Sequence, residues 1–216
     1  MPVQVKICGI NSAAAADAAL RAGADFGGLV FFAKSPRHLG LEQGALLAER
    51  MRGRLRLAAL VVDESDEKLA MIAARVRPDF FQLHGKETPA RAADIRARFD
   101  IPIIKALSVA QHDDLSQASA YDDVAEMFLF DAVPVAAATR PGGHGAAFDW
   151  QILNGRNFAR PWFLAGGLTP VNVARAVAVS EAKMVDVSSG VESAPGVKNE
   201  SRIAAFVAAA KHPVRA

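Results

Sequence analysis

Residues 162–190 read WFLAGGLTPVNVARAVAVSEAKMVDVSSG, and this stretch contains two short apolar runs, each followed by small residues. We predict that Trp162–Leu164 and Met184–Val187 are strands. Between them, Val171–Val179 is a predicted helix, which the preceding Thr169 and Pro170 can begin as cap and first-turn residues. Strand, helix and strand in this order form the repeating unit of a parallel sheet. The segment therefore predicts an α/β fold.

The same unit recurs along all 216 residues. The predicted strands are residues 3–8, 26–32, 55–62, 80–83, 101–107, 127–130, 162–164 and 184–187. The predicted helices are residues 12–22, 41–52, 67–76, a helix that begins at 88, and then 113–121, 150–153, 171–179 and 202–211. Nearly all the strands are apolar throughout, which is typical of strands covered on both faces. We therefore predict a (β/α)8 TIM barrel forming a single domain over residues 1–216; the alternative is an open doubly wound sheet, but no GxGxxG follows the first strand.

Composition excludes several classes of function. The chain has 25 basic and 23 acidic residues, so its charge gives no reason to expect a nucleic acid or a membrane as partner. Its single cysteine, Cys8, rules out an intrachain disulfide and a cysteine-based zinc site. No basic segment followed by an apolar run begins the sequence, and no apolar run approaches the length of a bilayer span. We expect a soluble cytoplasmic protein that is a monomer, with a dimer as the alternative.

Polar, glycine-rich or titratable residues stand where the predicted strands end. Active sites of (β/α)8 barrels lie at this carboxyl-terminal rim, so a whole rim of such residues predicts a site. These residues are Cys8-Gly9, Lys34 to Arg37, Asp63, His84-Gly85, Asp131, Gly166-Gly167 and Ser188-Ser189-Gly190.

Strand alternation predicts which of these side chains face the barrel axis. Lys6 and Cys8 share the inward face of the first strand, and the same parity turns Gln82 with His84, Leu129 with Asp131, and Asp186 with Ser188 inward. Cys8 and Asp131 would then face each other across the mouth. Lys6, Lys105 and Asp186 would form a polar layer inside the barrel, with Lys6 and Asp186 as a buried ion pair, and Lys6 would favour ionisation of Cys8.

Each of these residues also has a purely structural interpretation. A lone buried cysteine is often an inert core residue, and Asp131 can cap a loop. His84 can hydrogen-bond a neighbouring strand instead of a substrate, and Arg37 can pair with a carboxylate on a helix.

Two glycine-containing segments, Gly166-Gly167 and Ser188-Ser189-Gly190, end consecutive strands. Glycine allows backbone N–H groups to approach an anion closely, and the loops after strands seven and eight often bind phosphate in such barrels. The alternative is that these glycines only form tight turns. The loop around Gly142 and Gly143 predicts a mobile lid, or else an ordinary surface loop.

Six motifs together carry a resemblance to a known family. They are Lys6-Ile7-Cys8-Gly9-Ile10, Lys34-Ser35-Pro36-Arg37, Gln82-Leu83-His84-Gly85, Phe148-Asp149-Trp150, Leu164-Ala165-Gly166-Gly167-Leu168 and Val185-Asp186-Val187-Ser188-Ser189-Gly190-Val191-Glu192. In this order the chain resembles the phosphoribosylanthranilate isomerases over essentially its whole length. The resemblance implies an Amadori rearrangement of N-(5-phosphoribosyl)anthranilate to 1-(2-carboxyphenylamino)-1-deoxyribulose 5-phosphate in tryptophan biosynthesis.

The resemblance also implies roles for individual residues. It makes Cys8 the general base, Asp131 the general acid and Arg37 the residue that receives the anthranilate carboxylate, with no cofactor and no metal. The partner it implies is a small phosphorylated substrate. The segment His144 to Ala147 departs from the family's usual lid sequence, and Asn11 stands where an arginine is often found.

Three other functions remain alternatives at this point. A related phosphosugar aldose–ketose isomerase of the histidine pathway carries aspartate in place of Cys8. Indole-glycerol-phosphate synthase relies on lysine and glutamate near the strand ends. A non-catalytic phosphate-ligand binder would not need both Cys8 and Asp131.

Overall fold

The computed structural model describes residues 2–132 and 149–211, and its centre is a closed barrel of eight parallel strands in sequential order. The strands are β1 (Gln4–Cys8), β2 (Phe26–Val30), β3 (Arg56–Val61), β4 (Phe80–Leu83), β5 (Ile103–Val109), β6 (Met127–Ala132), β7 (Trp162–Leu164) and β8 (Met184–Val187). Pairing of β1 with β8 closes the ring. The predicted (β/α)8 fold is confirmed, and the open doubly wound sheet is wrong.

The α-helices cover the outside of the barrel. They are α1 (Ala13–Ala22), α2 (Leu41–Met51), α3 (Asp66–Val76), α4 (Pro89–Phe99), α5 (Val173–Ser180) and α6 (Glu200–Lys211). Side-chain oxygens of Ser12, Ser65 and Thr88 accept backbone N–H groups and so begin α1, α3 and α4. None of the helices in the described part of the chain is long and apolar enough to cross a membrane.

The predicted fifth and sixth helices are 3₁₀ rather than α-helices, at His112–Tyr121 and Trp150–Leu153. In the first, the hydroxyls of Ser116 and Ser119 donate to the carbonyls three residues earlier. Serine side chains that bond nearby carbonyls compete with the α-helical pattern, and the segment offers few apolar residues to pack on the barrel.

Helix α5 begins two residues later than predicted. The Thr169 backbone N–H donates to Asn172 Oδ1 at 2.7 Å, and the Asn172 N–H donates back to Thr169 Oγ1 at 3.3 Å. These reciprocal bonds hold residues 169–172 in a turn, and the regular helix follows from Val173.

Inside the barrel, the side-chain parity of β1, β6 and β8 is as predicted. Phe26, Leu129 and Phe163 belong to the apolar cluster along the axis, while Phe128 and Phe130 pack outward against the helices. Phe26 and Phe163 meet edge to face, with ring centroids 5.0 Å apart. The barrel interior is therefore a packed core, and any site must lie at its mouth.

The predicted ion pair between Lys6 and Asp186 is confirmed. Lys6 Nζ lies 2.8 Å from Asp186 Oδ1, and the Lys6 side chain is 0% exposed. Burial disfavours the charged form, but Asp186 and Cys8 outweigh it and raise the pKa of Lys6. Lys6 stays protonated because the Asp186 carboxylate is buried beside it.

The expectation that Lys105 joins this inner layer is wrong. Lys105 has the parity of Ile103 and Leu107, which pack outward. Its Nζ instead pairs with Glu87 at 2.8 Å, beneath the loop after β4. Glu87 in turn accepts the backbone N–H groups of Asp63 and Gly85, so this second buried pair braces two rim loops.

A short hairpin that the sequence analysis did not predict follows β8. Its strands are β9 (Glu192–Ala194) and β10 (Val197–Lys198). Gly196 forms the turn with φ +81°, and a Cβ at this position would lie 2.4 Å from the carbonyl oxygen of Pro36. Only glycine lets the hairpin approach the loop before Arg37 so closely.

We expect that Lys6→Met lowers the free energy of unfolding by about 3–5 kcal/mol, because it leaves the buried Asp186 carboxylate without its partner. Replacing both members, in Lys6→Met/Asp186→Leu, removes the uncompensated charge and restores much of the loss. Urea unfolding followed by circular dichroism measures both. If Lys6→Met proves as stable as Lys6→Met/Asp186→Leu, or more stable, the prediction is wrong.

Candidate active site

Four strand ends bring polar or titratable side chains to one mouth of the barrel. Cys8 ends β1, His84 follows β4, Asp131 lies near the end of β6, and Ser188 follows β8. Asp131 is part of β6, which runs on to Ala132 and is longer than predicted. Cys8 is 4% exposed and Asp131 7%, so both face an environment with little water.

The thiol of Cys8 lies between apolar and charged neighbours. It packs with Val30 on β2 and Leu60 on β3. Burial is the largest influence and raises the pKa of Cys8, Lys6 lowers it, and Asp186 adds to the increase. The predicted effect of Lys6 on Cys8 is confirmed in its direction, but burial prevails over it.

Asp131 contacts His84 across the mouth. The Oδ2 atom of Asp131 lies 3.3 Å from His84 Nε2, and His84 Nδ1 lies 3.0 Å from Gln82 Nε2. The other carboxyl oxygen of Asp131 accepts the N–H of Ala132 at 2.9 Å. His84 thus contacts Gln82 of the strand it follows and Asp131 on β6, and the second contact also lets a proton lie between its imidazole and the Asp131 carboxyl.

Arg37 is buried and held by a carboxylate that the sequence analysis had given no role. Its Nε and Nη2 donate to the two oxygens of Glu192 at 2.6 and 2.8 Å. Lys198 also contacts Glu192, at 2.8 Å. Burial opposes the charge on Glu192, but the Arg37 hydrogen bond and the Lys198 charge prevail and lower its pKa.

Glu192 and Lys198 are therefore site residues that the sequence reasoning missed. Glu192 directly follows the Ser-Ser-Gly-Val stretch, and an acidic residue so close to a rim motif was the available signal. Lys198 offered no comparable signal, because a lysine ten residues beyond a strand usually lies in solvent. Only the hairpin turns it back over the mouth.

The two glycine segments after β7 and β8 lie directly against each other. Gly166 and Gly167 have φ +83° and +65°, which favour glycine. A Cβ on Gly190 would lie 1.8 Å from the carbonyl oxygen of Leu168. Within residues 2–132 and 149–211, no backbone carbonyl accepts the N–H of Gly167, Ser189 or Gly190, so these donors are free for an anion. Gly142 and Gly143, predicted in the lid, lie outside the described residues.

A closed parallel barrel with a buried thiol, a carboxyl group and free backbone donors at one mouth defines a (β/α)8-barrel enzyme. The family model described as N-(5'phosphoribosyl)anthranilate (PRA) isomerase matches residues 5–209. The chain belongs to this family, whose members are isomerases of tryptophan biosynthesis.

Individual relatives agree with this assignment. The N-(5'-phosphoribosyl)anthranilate isomerase of Rhodopseudomonas palustris is 52% identical over 98% of this chain and 97% of its own length. A solved phosphoribosyl anthranilate isomerase in complex with reduced 1-(o-carboxyphenylamino)-1-deoxyribulose 5-phosphate superimposes with a TM-score of 0.84, at 33% identity over 97% of this chain and 98% of the other. Monomers generated from the dimeric Thermotoga maritima enzyme give 0.83, at 32% identity and the same coverage.

Gly166→Ala tests whether an anion binds at the glycine turns. The new Cβ would lie 2.6 Å from the N of Ala132 and would strain a backbone with φ +83°, so we expect inorganic phosphate to bind about tenfold more weakly or worse. Gly155→Ala is the matched control, since Gly155 has φ +67° and open space around it. Both variants should lose about 1–2 kcal/mol of stability from the backbone alone.

Calorimetric titration with inorganic phosphate and urea unfolding compare the two variants. Equal phosphate affinity in Gly166→Ala and Gly155→Ala would place the anion elsewhere.

Proposed function

We propose that this isomerase rearranges N-(5'-phosphoribosyl)anthranilate with Cys8 as general base and Asp131 as general acid. The observation that carries the proposal is that both side chains are buried and face inward at the same mouth. They stand on β1 and β6, which are separated around the ring by β7 and β8. A sugar held between them would present opposite sides to the two groups.

The chemistry needs a proton donor first. Asp131 in its protonated form gives its proton to the furanose ring oxygen, the bond from C1′ to that oxygen breaks, and the anilino nitrogen supplies the electron pair that forms an iminium. The contact between Asp131 and His84 supports this role, because it holds the carboxyl group in place at the mouth.

The second step needs a base. The iminium makes the C2′ proton acidic, so the Cys8 thiolate can remove it, and the resulting enolamine becomes the 2-ketose after a proton shift. A thiolate is needed because the neutral thiol is not basic, and the cations around Cys8 support its formation.

Substrate binding would use the remaining polar groups of the mouth. Glu192 engages two nitrogens of Arg37 and leaves Nη1 as a donor for the anthranilate carboxylate. The free N–H groups of Gly167, Ser189 and Gly190 suit the phosphate. The ligand named in the related complex carries both a carboxyphenyl group and a phosphate. This supports the assignment of Arg37 to the carboxylate and of the backbone N–H groups to the phosphate.

We infer that the chain acts as a monomer, because Cys8, Arg37 and Asp131 all come from one chain. The Thermotoga maritima relative is named as dimeric, which keeps a dimer as the alternative. Sedimentation velocity at micromolar concentration distinguishes the two states, and a species of twice the chain mass would contradict the inference.

Cys8→Ala and Asp131→Asn should each lower kcat by about 10²–10⁴-fold, because each removes one proton transfer. Binding of a reduced product analogue should change little, since neither group supplies ground-state affinity. Arg37→Ala should instead weaken analogue binding, as it removes the carboxylate contact. Steady-state kinetics from anthranilate fluorescence, with calorimetry for the analogue, separate these effects.

Cys8→Ser is the matched control for the base, since it keeps a small polar side chain but cannot form an anion near neutral pH. We expect it to be nearly as inactive as Cys8→Ala. A folded Cys8→Ala variant that retains kcat would rule out Cys8 as the base and make His84 the next candidate.

A further inference from the structure

Lys198 is a buried lysine that the mechanism above does not use. Its side chain is 0% exposed, although it belongs to the last strand of a surface hairpin. Its Nζ donates to the carbonyl oxygen of Ser188 at 2.9 Å and to Glu192 Oε1 at 2.8 Å. Burying an ammonium group is costly, so such a position calls for a compensating role.

The contacts of Lys198 lead directly to Cys8. Its Nζ reaches Ser188 Oγ at 3.4 Å, and the same hydroxyl donates to the carbonyl oxygen of Cys8 at 3.2 Å. One serine thus links the amine to the backbone of the proposed base. The hairpin places the positive charge of Lys198 over the end of β1.

The charged side chains around Cys8 carry one positive charge in excess. Three cations face it: Lys6 on β1, Arg37 on the loop after β2, and Lys198 on β10. Two carboxylates accompany them, Asp186 on β8 and Glu192 on β9. Val30 and Leu60, from β2 and β3, add only apolar contacts. Asp186 neutralises Lys6, whereas Arg37 and Lys198 share one Glu192, so one positive charge is in excess and a Cys8 thiolate would cancel it.

We propose that Lys198 is a positioning residue that acts through Cys8, because its buried charge, only half compensated by Glu192, stabilises the thiolate. The proposal rests on the assignment of Cys8 as the base. Within the same network, Glu192 holds Arg37 in place and keeps Lys198 from being wholly unpaired.

The electrostatics of the two groups agree with this arrangement. Burial is the largest influence on Cys8 and, together with Asp186, raises its pKa, while Lys6, Lys198 and Arg37 offset part of that rise. Burial also prevails at Lys198 and lowers its pKa, while Glu192 and a Cys8 thiolate oppose that shift. Thiolate and ammonium therefore favour each other, and loss of the ammonium must move the pKa of Cys8 upward.

The single cysteine of the chain makes this measurable without turnover. Thiolate absorbance in the ultraviolet, with the Cys8→Ala form of each variant as the blank, reports the ionisation of Cys8 alone. In Lys198→Met we expect the titration to move to higher pH. Because Arg37 still pairs with Glu192 in this variant, no buried carboxylate is left alone and the fold should persist.

Two variants serve as controls. Lys198→Arg keeps the positive charge and should titrate close to the natural protein. Lys183→Met removes an exposed lysine of the same charge before β8 and should leave the titration unchanged. Lys198→Gln, which keeps a hydrogen-bond donor toward Ser188, replaces the methionine variant if that variant does not fold by circular dichroism.

Kinetics supply the second readout. In Lys198→Met, kcat/KM near neutral pH should fall about tenfold and recover as the pH rises, with the change in kcat rather than in KM. A thiol titration that does not move in Lys198→Met or Lys198→Gln overturns the proposal. A titration that moves while kcat stays constant supports the electrostatic role and instead refutes Cys8 as the base.

Discussion

The pairing of β1 with β8 is the constraint on which the rest of the molecule depends. Its register places Lys6 beside Asp186, and both side chains point into a core filled mainly by phenylalanine, alanine and methionine. A one-residue shift would turn Lys6 outward and Cys8 away from the mouth, since neighbouring residues of a strand face opposite sides. Closure of the barrel and construction of the site are therefore one event.

Above this pair, the mouth contains an unusual number of buried charges, and each persists because another group opposes it. Glu192 accepts Arg37, Lys198 and the N–H of Gly196, so a single carboxylate organises the loop after β2 and the hairpin after β8. Such a cluster contributes little net stability, because desolvation offsets most of the attraction. Its value lies in holding charge at fixed positions where little water can screen it, which is the condition that acid–base chemistry requires.

The buried pair of Lys105 and Glu87 also consists of two opposed charges, but it takes no part in the proposed reaction. It lies between the sheet and the loop after β4, and Tyr121 donates its hydroxyl hydrogen bond to the Glu87 carbonyl nearby. These contacts fix the loops that carry Asp63 and His84. Rigid loops on a rigid barrel keep the side chains at the mouth in place before a substrate arrives.

Much of this protein followed from the sequence alone. The repeat of apolar runs and helices predicted eight strands, and alternation along each strand predicted the inward positions of Lys6, Cys8, Asp131 and Asp186. These are local properties, because residues close together in the sequence determine the period of a strand and the apolar pattern of a buried sheet.

Contacts between distant segments came only from the tertiary structure. The outward pairing of Lys105 depends on Glu87, eighteen residues away, and the 3₁₀ turns at 112–121 depend on serine hydroxyls that compete with a regular helix. Glu192 and Lys198 became site residues because the hairpin folds back against Pro36 and Arg37, more than 150 residues earlier in the chain. Sequence determines the period and direction of each element, but the partner of a buried charge is decided by which segments the closed barrel brings together.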